Sequence, residues 1–189
     1  MSNSHAIATP VFVNGVDVGA LIGVVKAIQS DADLAKFNFR AVNRWLGGDK
    51  TRSAIKEFSG AGQEHRVGAK TFFVDSGEPP VLLGEDKAPN SGEFLLHTLM
   101  SCVTTSAVYH AAANAVEIDA IESEIDGDID LRGFLGISAD VPKGYSAIRL
   151  RMRFKTAASP AQIKEFIRMS PMLEMVSKAA PVSLEVETY

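Results

Sequence analysis

The spacing of apolar residues predicts a short helix near the start of the chain, followed by strands. After a turn signal at Asn14-Gly15, apolar residues recur at helical spacing, namely Val18, Leu21, Ile22, Val25 and Ile28. The pattern then alternates and predicts three strands, over residues 37–45, 52–58 and 70–74. We therefore expect residues 1–36 to form a helical extension without catalytic groups, and residues 37–189 to form the main domain.

A long segment, residues 93–115, is apolar or small on most of its helical faces. Asn90 or Ser91 offers an N-cap, and Glu93 favours the positive end of the helix dipole. A helix that is apolar nearly all round is buried on most sides. In a chain of 189 residues, this predicts a central helix or one packed against a partner subunit. We therefore expect a homodimer.

Two later strands carry opposite charges on their outer faces. The first, over residues 121–131, presents Glu122, Glu124, Asp126, Asp128 and Asp130. The second, over residues 148–155, presents Arg149, Arg151, Arg153 and Lys155. Opposite charges favour pairing of these strands, so the basic stripe is neutralised rather than free for nucleic acid. A calcium loop starting at Asp126 is excluded, because Leu131 and Ile137 stand where an EF-hand requires glycine and glutamate.

The C-terminal part predicts two helices and a strand. Ser159-Pro160 provides an N-cap and a first helical residue, and the helix that follows is interrupted by Ser170-Pro171. A short helix over residues 172–176 and a strand containing Val182, Leu184 and Val186 complete the chain. The predicted order of elements is strands, a buried helix, strands, a helix and a strand. This order is typical of an α+β fold.

Composition limits the classes of function. The net charge of −4 and the lack of a basic tail argue against a nucleic-acid partner. Neither a signal-peptide pattern in Met1–Thr9 nor an apolar run of membrane-spanning length occurs, so we expect a cytoplasmic protein without a membrane partner. The single cysteine, Cys102, allows no internal disulfide.

Cys102 is the residue best suited to carry chemistry. It lies in the middle of the long helix, where a lone cysteine is more often a core residue than a nucleophile. His97 and His110 share the helix but stand thirteen residues apart, so they form no metal-ligand pair. We expect neither a metal nor another cofactor.

The segment from Gly84 to Cys102 (GEDKAPNSGEFLLHTLMSC) resembles the signature of the OsmC-like family. Residues 118–133, Ser170-Pro171 and the closing Pro181-Val182 are similar to later parts of the same family. The resemblance covers residues 37–189. It implies an OsmC-like α+β fold, with antiparallel sheets around long central helices in an intertwined homodimer.

The resemblance also implies thiol-dependent reduction of organic hydroperoxides, as part of a stress response. It assigns Cys102 as the peroxidatic cysteine, Glu93 as the glutamate of the site, and an arginine for which Arg52 is the first choice and Arg66 the alternative. Glu93 and Cys102 are nine residues apart, about 13 Å of helical rise and half a turn out of phase. Arg52 would have to bridge them, or the partner subunit would have to supply one of them.

The family resemblance implies a second cysteine, which forms a disulfide with the oxidised peroxidatic cysteine. In this sequence Ser170 stands at the place of that second cysteine. A serine forms no disulfide. We therefore expect a one-cysteine peroxidase that uses an external thiol as reductant. The alternatives are a non-catalytic protein that binds a small hydrophobic ligand at the dimer interface, and a protein in which Cys102 is only a core residue.

Overall fold

The computed structural model describes residues 11–179 and 182–189. The chain divides into two compact units, which are described separately. The first unit takes the chain up to Ile22 together with Leu96–Tyr189, and the second takes Gly23–Leu95. The first ten residues of the predicted extension, and Pro181 of the family resemblance, lie outside the described residues. The division between extension and main domain at residue 36 stays a prediction.

A small hairpin opens the first unit. Strands β1 (Phe12–Val13) and β2 (Val16–Asp17) pair around Asn14 and Gly15, whose positive φ angles of 53° and 78° confirm the predicted turn. The Asn14 side chain donates to the carbonyl oxygen of Val116 (2.9 Å) and accepts from the N–H of Ile118 (2.8 Å). This amide therefore holds the hairpin on a distant segment of the same unit.

Helix α1 (Val18–Ser30) confirms the first predicted helix. None of its residues is buried, although its sequence contains a single charged residue, Lys26. A helix of this length is marginal on its own in water. A 3-10 helix over Ala32–Ala35 follows α1.

The second unit contains an antiparallel sheet built on its longest hairpin. Its strands are β3 (Phe37–Gly47), β4 (Lys50–Gly60), β5 (Gln63–His65) and β6 (Phe72–Ser76). β4 pairs with all three others, so the three predicted strands are confirmed and β5 is added. Nearly every residue of β3 is exposed, including its large apolar side chains.

The first unit packs a mixed sheet against helices. Its elements are the main part of α2 (Ser91–Ala113), β7 (Ala120–Ile129), α3 (Leu131–Phe134), β8 (Tyr145–Lys155), α4 (Pro160–Arg168), α5 (Pro171–Ala179) and β9 (Val182–Thr188). The core joins one stripe of α2, the inner face of β8 and the apolar face of α4. α2 confirms the predicted long helix, but the single chain buries only Leu99, Val103, Ala107, Ala111 and Ala112 from it.

The charged strands pair as their sequences predict. β7 and β8 are antiparallel, with Glu122 opposite Arg153, Glu124 opposite Arg151 and Asp126 opposite Arg149. Each of these arginines forms an ion pair with the acidic residue opposite it. The three arginines of the basic stripe are thus neutralised, and β9 adds Glu185 and Glu187 from the other side.

Two details of this sheet differ from expectation. The sheet is not wholly antiparallel, because β9 runs parallel to β8. The two helices α4 and α5 form the crossover that a parallel pair requires. Leu131, predicted in the strand, instead begins α3, because Asp130 caps that helix by accepting from the N–H of Arg132. The α+β class is confirmed. None of the described helices combines the length and the hydropathy that a bilayer span requires.

Candidate functional site

Cys102 lies at the border of the buried stripe of α2 and is partly exposed. Its buried neighbours Leu99 and Val103 pack in the core, so the helix fixes the direction of the thiol. The hydroxyls of Thr104 and Thr105 are already engaged, since they donate to the carbonyl oxygens of Met100 and Ser101 at 3.0 Å each. The hydroxyl that reaches the sulfur comes from another element.

That hydroxyl belongs to Ser170, the residue immediately before α5. Its Oγ lies 3.3 Å from the Sγ of Cys102 and accepts from the N–H of Leu173 at 3.3 Å. Ser170 therefore caps α5 at its N-terminus and touches the thiol with the same oxygen. Among the described residues, Ser170 is the only polar one that is fully buried.

The cap bond decides where the Ser170 proton points. Because one lone pair of Oγ accepts from Leu173, the hydroxyl hydrogen is left to find an acceptor inside the protein, and the sulfur of Cys102 is the one in contact. A buried hydroxyl whose proton found no acceptor would cost about 1–3 kcal/mol. The geometry therefore directs an O–H donor at the sulfur, an arrangement that stabilises negative charge on it.

Arg52 lies in β4, in the second unit, opposite Asp75 of β6. Nε and Nη2 donate to the two carboxylate oxygens of Asp75 at 2.6 and 2.7 Å, the fork-to-carboxylate geometry that orients a guanidinium. These hydrogen bonds raise the pKa of Arg52 and lower the pKa of Asp75. Asp75, a residue not predicted from the sequence, therefore holds Arg52 in the described structure.

Glu93 uses its carboxylate at the start of α2. It accepts from the N–H of Asn90 at 2.8 Å, while the Asn90 side chain accepts from the N–H of Glu93 at 2.8 Å. This reciprocal arrangement is a capping box. Arg52 and Glu93, which both belong to the second unit, thus have different hydrogen-bond partners among the described residues.

Arg66 is held by aromatic rings. Its guanidinium carbon lies 4.8 Å from the ring centroid of Phe58 and 5.5 Å from that of Phe72. Its Nε is buried without a hydrogen-bond partner, and no ion pair to Arg66 occurs among the described residues. Its φ of 59° is left-handed, which is uncommon for a residue with a side chain. Arg66 is therefore the less neutralised of the two candidate arginines.

The described residues contain no group of three or more His, Cys, Asp or Glu side chains placed to hold a metal ion. The sequence singled out Cys102 as the candidate thiol and Ser170 as the residue at the place of a second cysteine, but it predicted neither the hydrogen bond between them nor the pairing of Asp75 with Arg52. Ser170-Pro171 was recognisable as a helix-capping signal, whereas its contact with α2 depends on tertiary packing. The Arg52–Asp75 pair depends on the register of two strands that are nonadjacent in sequence.

Comparison with known proteins identifies the family and the fold of the chain. The family model described as OsmC-like protein matches residues 84–185, more than half of the chain. No curated protein matches the sequence. Among solved structures, an OsmC-like protein from Mycoplasma pneumoniae is similar at 15% identity and a TM-score of 0.60, covering 80% of this chain and 96% of its own.

Two further structures carry a functional name. An organic hydroperoxide resistance protein OsmC from Legionella pneumophila matches at 14% identity, a TM-score of 0.53, and coverage of 79% of this chain and 96% of its own. An organic hydroperoxide resistance protein from Elizabethkingia anophelis matches at 12% identity and a TM-score of 0.52, and the match covers 80% of this chain and 96% of its own. At such identities the likeness establishes the fold alone. With the family match over residues 84–185, the chain belongs to the OsmC-like protein family.

Proposed function

We propose that the chain is a one-cysteine redox protein that reduces organic hydroperoxides through Cys102. The observation that carries the proposal is the partly exposed thiol on the signature helix of the family, with a hydroxyl donor directed at its sulfur. The names of two structural neighbours, organic hydroperoxide resistance proteins, support the substrate class.

The reaction needs a thiolate and a donor for the leaving oxygen. The Cys102 thiolate attacks the outer peroxide oxygen, an S–O bond forms, the O–O bond breaks, and the alkoxide takes a proton to leave as an alcohol. Cys102 is then a sulfenic acid. An external thiol attacks that sulfur and expels water, and a second thiol breaks the mixed disulfide to restore Cys102.

Arg52 is the proposed donor to the leaving oxygen. Asp75 engages Nε and Nη2, so Nη1 is the part of the guanidinium left to meet an oxyanion. In this proposal Asp75 orients the arginine, and Glu93, the glutamate that the family resemblance implies, closes the start of α2. Arg66 remains the alternative arginine, because aromatic rings rather than a carboxylate hold it.

Intact-mass analysis of the native protein after cumene hydroperoxide treatment tests the proposal. With no resolving cysteine in the chain, we expect Cys102 to gain one oxygen, then two or three as exposure continues. A small thiol added with the peroxide should give a monothiol adduct instead. Cys102→Ser should abolish both products. If the folded wild-type protein ignores excess hydroperoxide, Cys102 is not a peroxidatic residue.

A second candidate function, binding of a small hydrophobic ligand, is favoured by one observation. The rings of Phe37, Phe39 and Phe58 pack together in the second unit, with centroids 5.9 Å apart for Phe37 and Phe39 and 5.1 Å apart for Phe39 and Phe58. Phe37 and Phe39 are also exposed. If this is the function, an environment-sensitive apolar dye should bind equally well to wild-type protein and Cys102→Ser, and Phe39→Ala should weaken its binding.

A further inference from the structure

We propose that Ser170 is a positioning residue that makes the Cys102 thiol reactive, replacing the covalent role of a second cysteine with a hydrogen bond. The inference deepens the proposed function and takes its biological meaning from it. Its physical content concerns only how readily Cys102 acts as a nucleophile. It can therefore be tested without any peroxide.

The first support is burial. Ser170 is fully buried, and a serine in such a place needs a polar partner for its hydroxyl. Its oxygen accepts from the N–H of Leu173, and its proton is directed at the Cys102 sulfur 3.3 Å away. An alanine at this position would fill nearly the same space and would bring no hydroxyl that needs a hydrogen-bond partner.

The second support is where the hydroxyl is anchored. Ser170 precedes α5 (Pro171–Ala179), and the N–H of Glu174 donates to the Ser170 carbonyl oxygen at 3.1 Å. Both bonds fix the backbone and side chain of Ser170, so the donor is in place before any charge develops on the sulfur. A donor that needs no reorganisation stabilises the thiolate most effectively.

The chain offers a matched control for the loss of a helix cap. Ser159 caps α4 as Ser170 caps α5: its Oγ accepts from the N–H of Gln162 at 3.2 Å, and a proline follows it directly. Ser159 is exposed and has no contact with the thiol, whereas Ser170 is buried against it. Ser159→Ala therefore reproduces the loss of a helix cap without touching Cys102.

The test measures the rate at which iodoacetamide alkylates Cys102 at neutral pH, where the sulfur attacks the methylene carbon and iodide leaves. We expect Ser170→Ala to slow this reaction about fivefold, the worth of one ordinary hydrogen bond. Ser170→Thr, which keeps the hydroxyl, should restore most of the rate. Ser159→Ala should leave the rate unchanged. Equal rates in wild-type protein and Ser170→Ala would overturn the proposal.

Two further measurements separate positioning from packing. Cys102 is the only cysteine, so the infrared S–H stretching band of the protein is its own. That band should shift in Ser170→Ala and coincide with wild type in Ser159→Ala. In Ser170→Cys, diamide should oxidise the two thiols to a disulfide, seen as the loss of two hydrogen atoms. Failure to form it would refute the contact, even if Ser170→Ala does not fold.

The proposed function and this inference fail in different ways. A protein that ignores hydroperoxide but loses alkylation rate in Ser170→Ala would retain the positioning role and lose the peroxidase role. A protein that reacts with hydroperoxide equally fast with and without the Ser170 hydroxyl would do the reverse.

Discussion

At the scale of single residues, the arginine assignment depends on which guanidinium is available and how firmly it is held. Asp75 binds Arg52 through two hydrogen bonds, but both side chains are about half exposed, at 50% and 46%. Exposed ion pairs contribute little to stability. A change at Arg52 should therefore alter chemistry without unfolding the protein, which makes its kinetic effect interpretable.

We predict that Arg52→Ala slows sulfenic acid formation at Cys102 about tenfold or more, by removing a charged donor to the leaving oxygen. Asp75→Asn should slow it less, because the guanidinium remains but is held less firmly. Arg44→Ala is the matched control, since Arg44 is an exposed arginine opposite Arg52 on β3. Peroxide consumption followed by stopped flow measures all three. An unchanged rate in Arg52→Ala with a slowed rate in Arg66→Ala would transfer the role to Arg66.

The pH dependence of the Arg52–Asp75 pair has a defined sign. The hydrogen bond from Arg52 lowers the pKa of Asp75 in the folded protein. The contribution of the pair to stability is therefore complete above the ordinary pKa of an aspartate. It is lost as the pH falls through the lowered folded value. Arg52 should accordingly stay oriented throughout the neutral and mildly acidic range.

At the scale of elements, Glu93 has two competing roles that one substitution separates. Its carboxylate closes the capping box with Asn90. Glu93→Ala should destabilise the protein by about 1 kcal/mol, the usual cost of losing a helix cap. Glu93→Gln keeps an oxygen that can accept from Asn90 and should be nearly as stable as wild type. Urea unfolding measures both.

The rate of reaction with hydroperoxide then assigns Glu93. If the residue acts only as a cap, Glu93→Gln reacts as fast as wild type. A slowed reaction in a fully stable Glu93→Gln protein would show that the charge of Glu93 takes part in the chemistry, as the family resemblance implies. Either result is clear, because stability and charge are changed independently.

Local patterns in the sequence predicted those elements whose own residues determine them. α4 follows from Ser159-Pro160 and its apolar face, and the pairing of β7 with β8 follows from their opposite charges. β5 was missed because three polar residues, Gln63–His65, show no alternation. The parallel direction of β9 and the contact of Ser170 with Cys102 depend on how distant segments pack, which no local pattern encodes.

At the scale of the whole molecule, the single chain leaves too much apolar surface uncovered. α1 buries none of its residues, and α2 buries only one stripe of a helix that is apolar or small on most faces. On β3, the exposed large apolar side chains are Phe37, Phe39, Val42, Trp45 and Leu46. Such extended apolar surface is unusual for a monomer, so we expect another chain to cover it.

We predict that the protein is a homodimer, and that Val42→Asp on β3 converts it to monomers. Val42 is 67% exposed in the single chain, so the substitution causes no clash within the subunit. In a dimer that covers β3, the same carboxylate would be buried without a partner, which is strongly unfavourable.

Sedimentation velocity at micromolar concentration should give a dimer for wild type. Ser183→Asp, an equally charged change on an exposed polar position of β9, should leave the dimer intact. A wild-type protein that sediments as a monomer would contradict the prediction, and α1 and β3 would then need another partner to cover their apolar side chains.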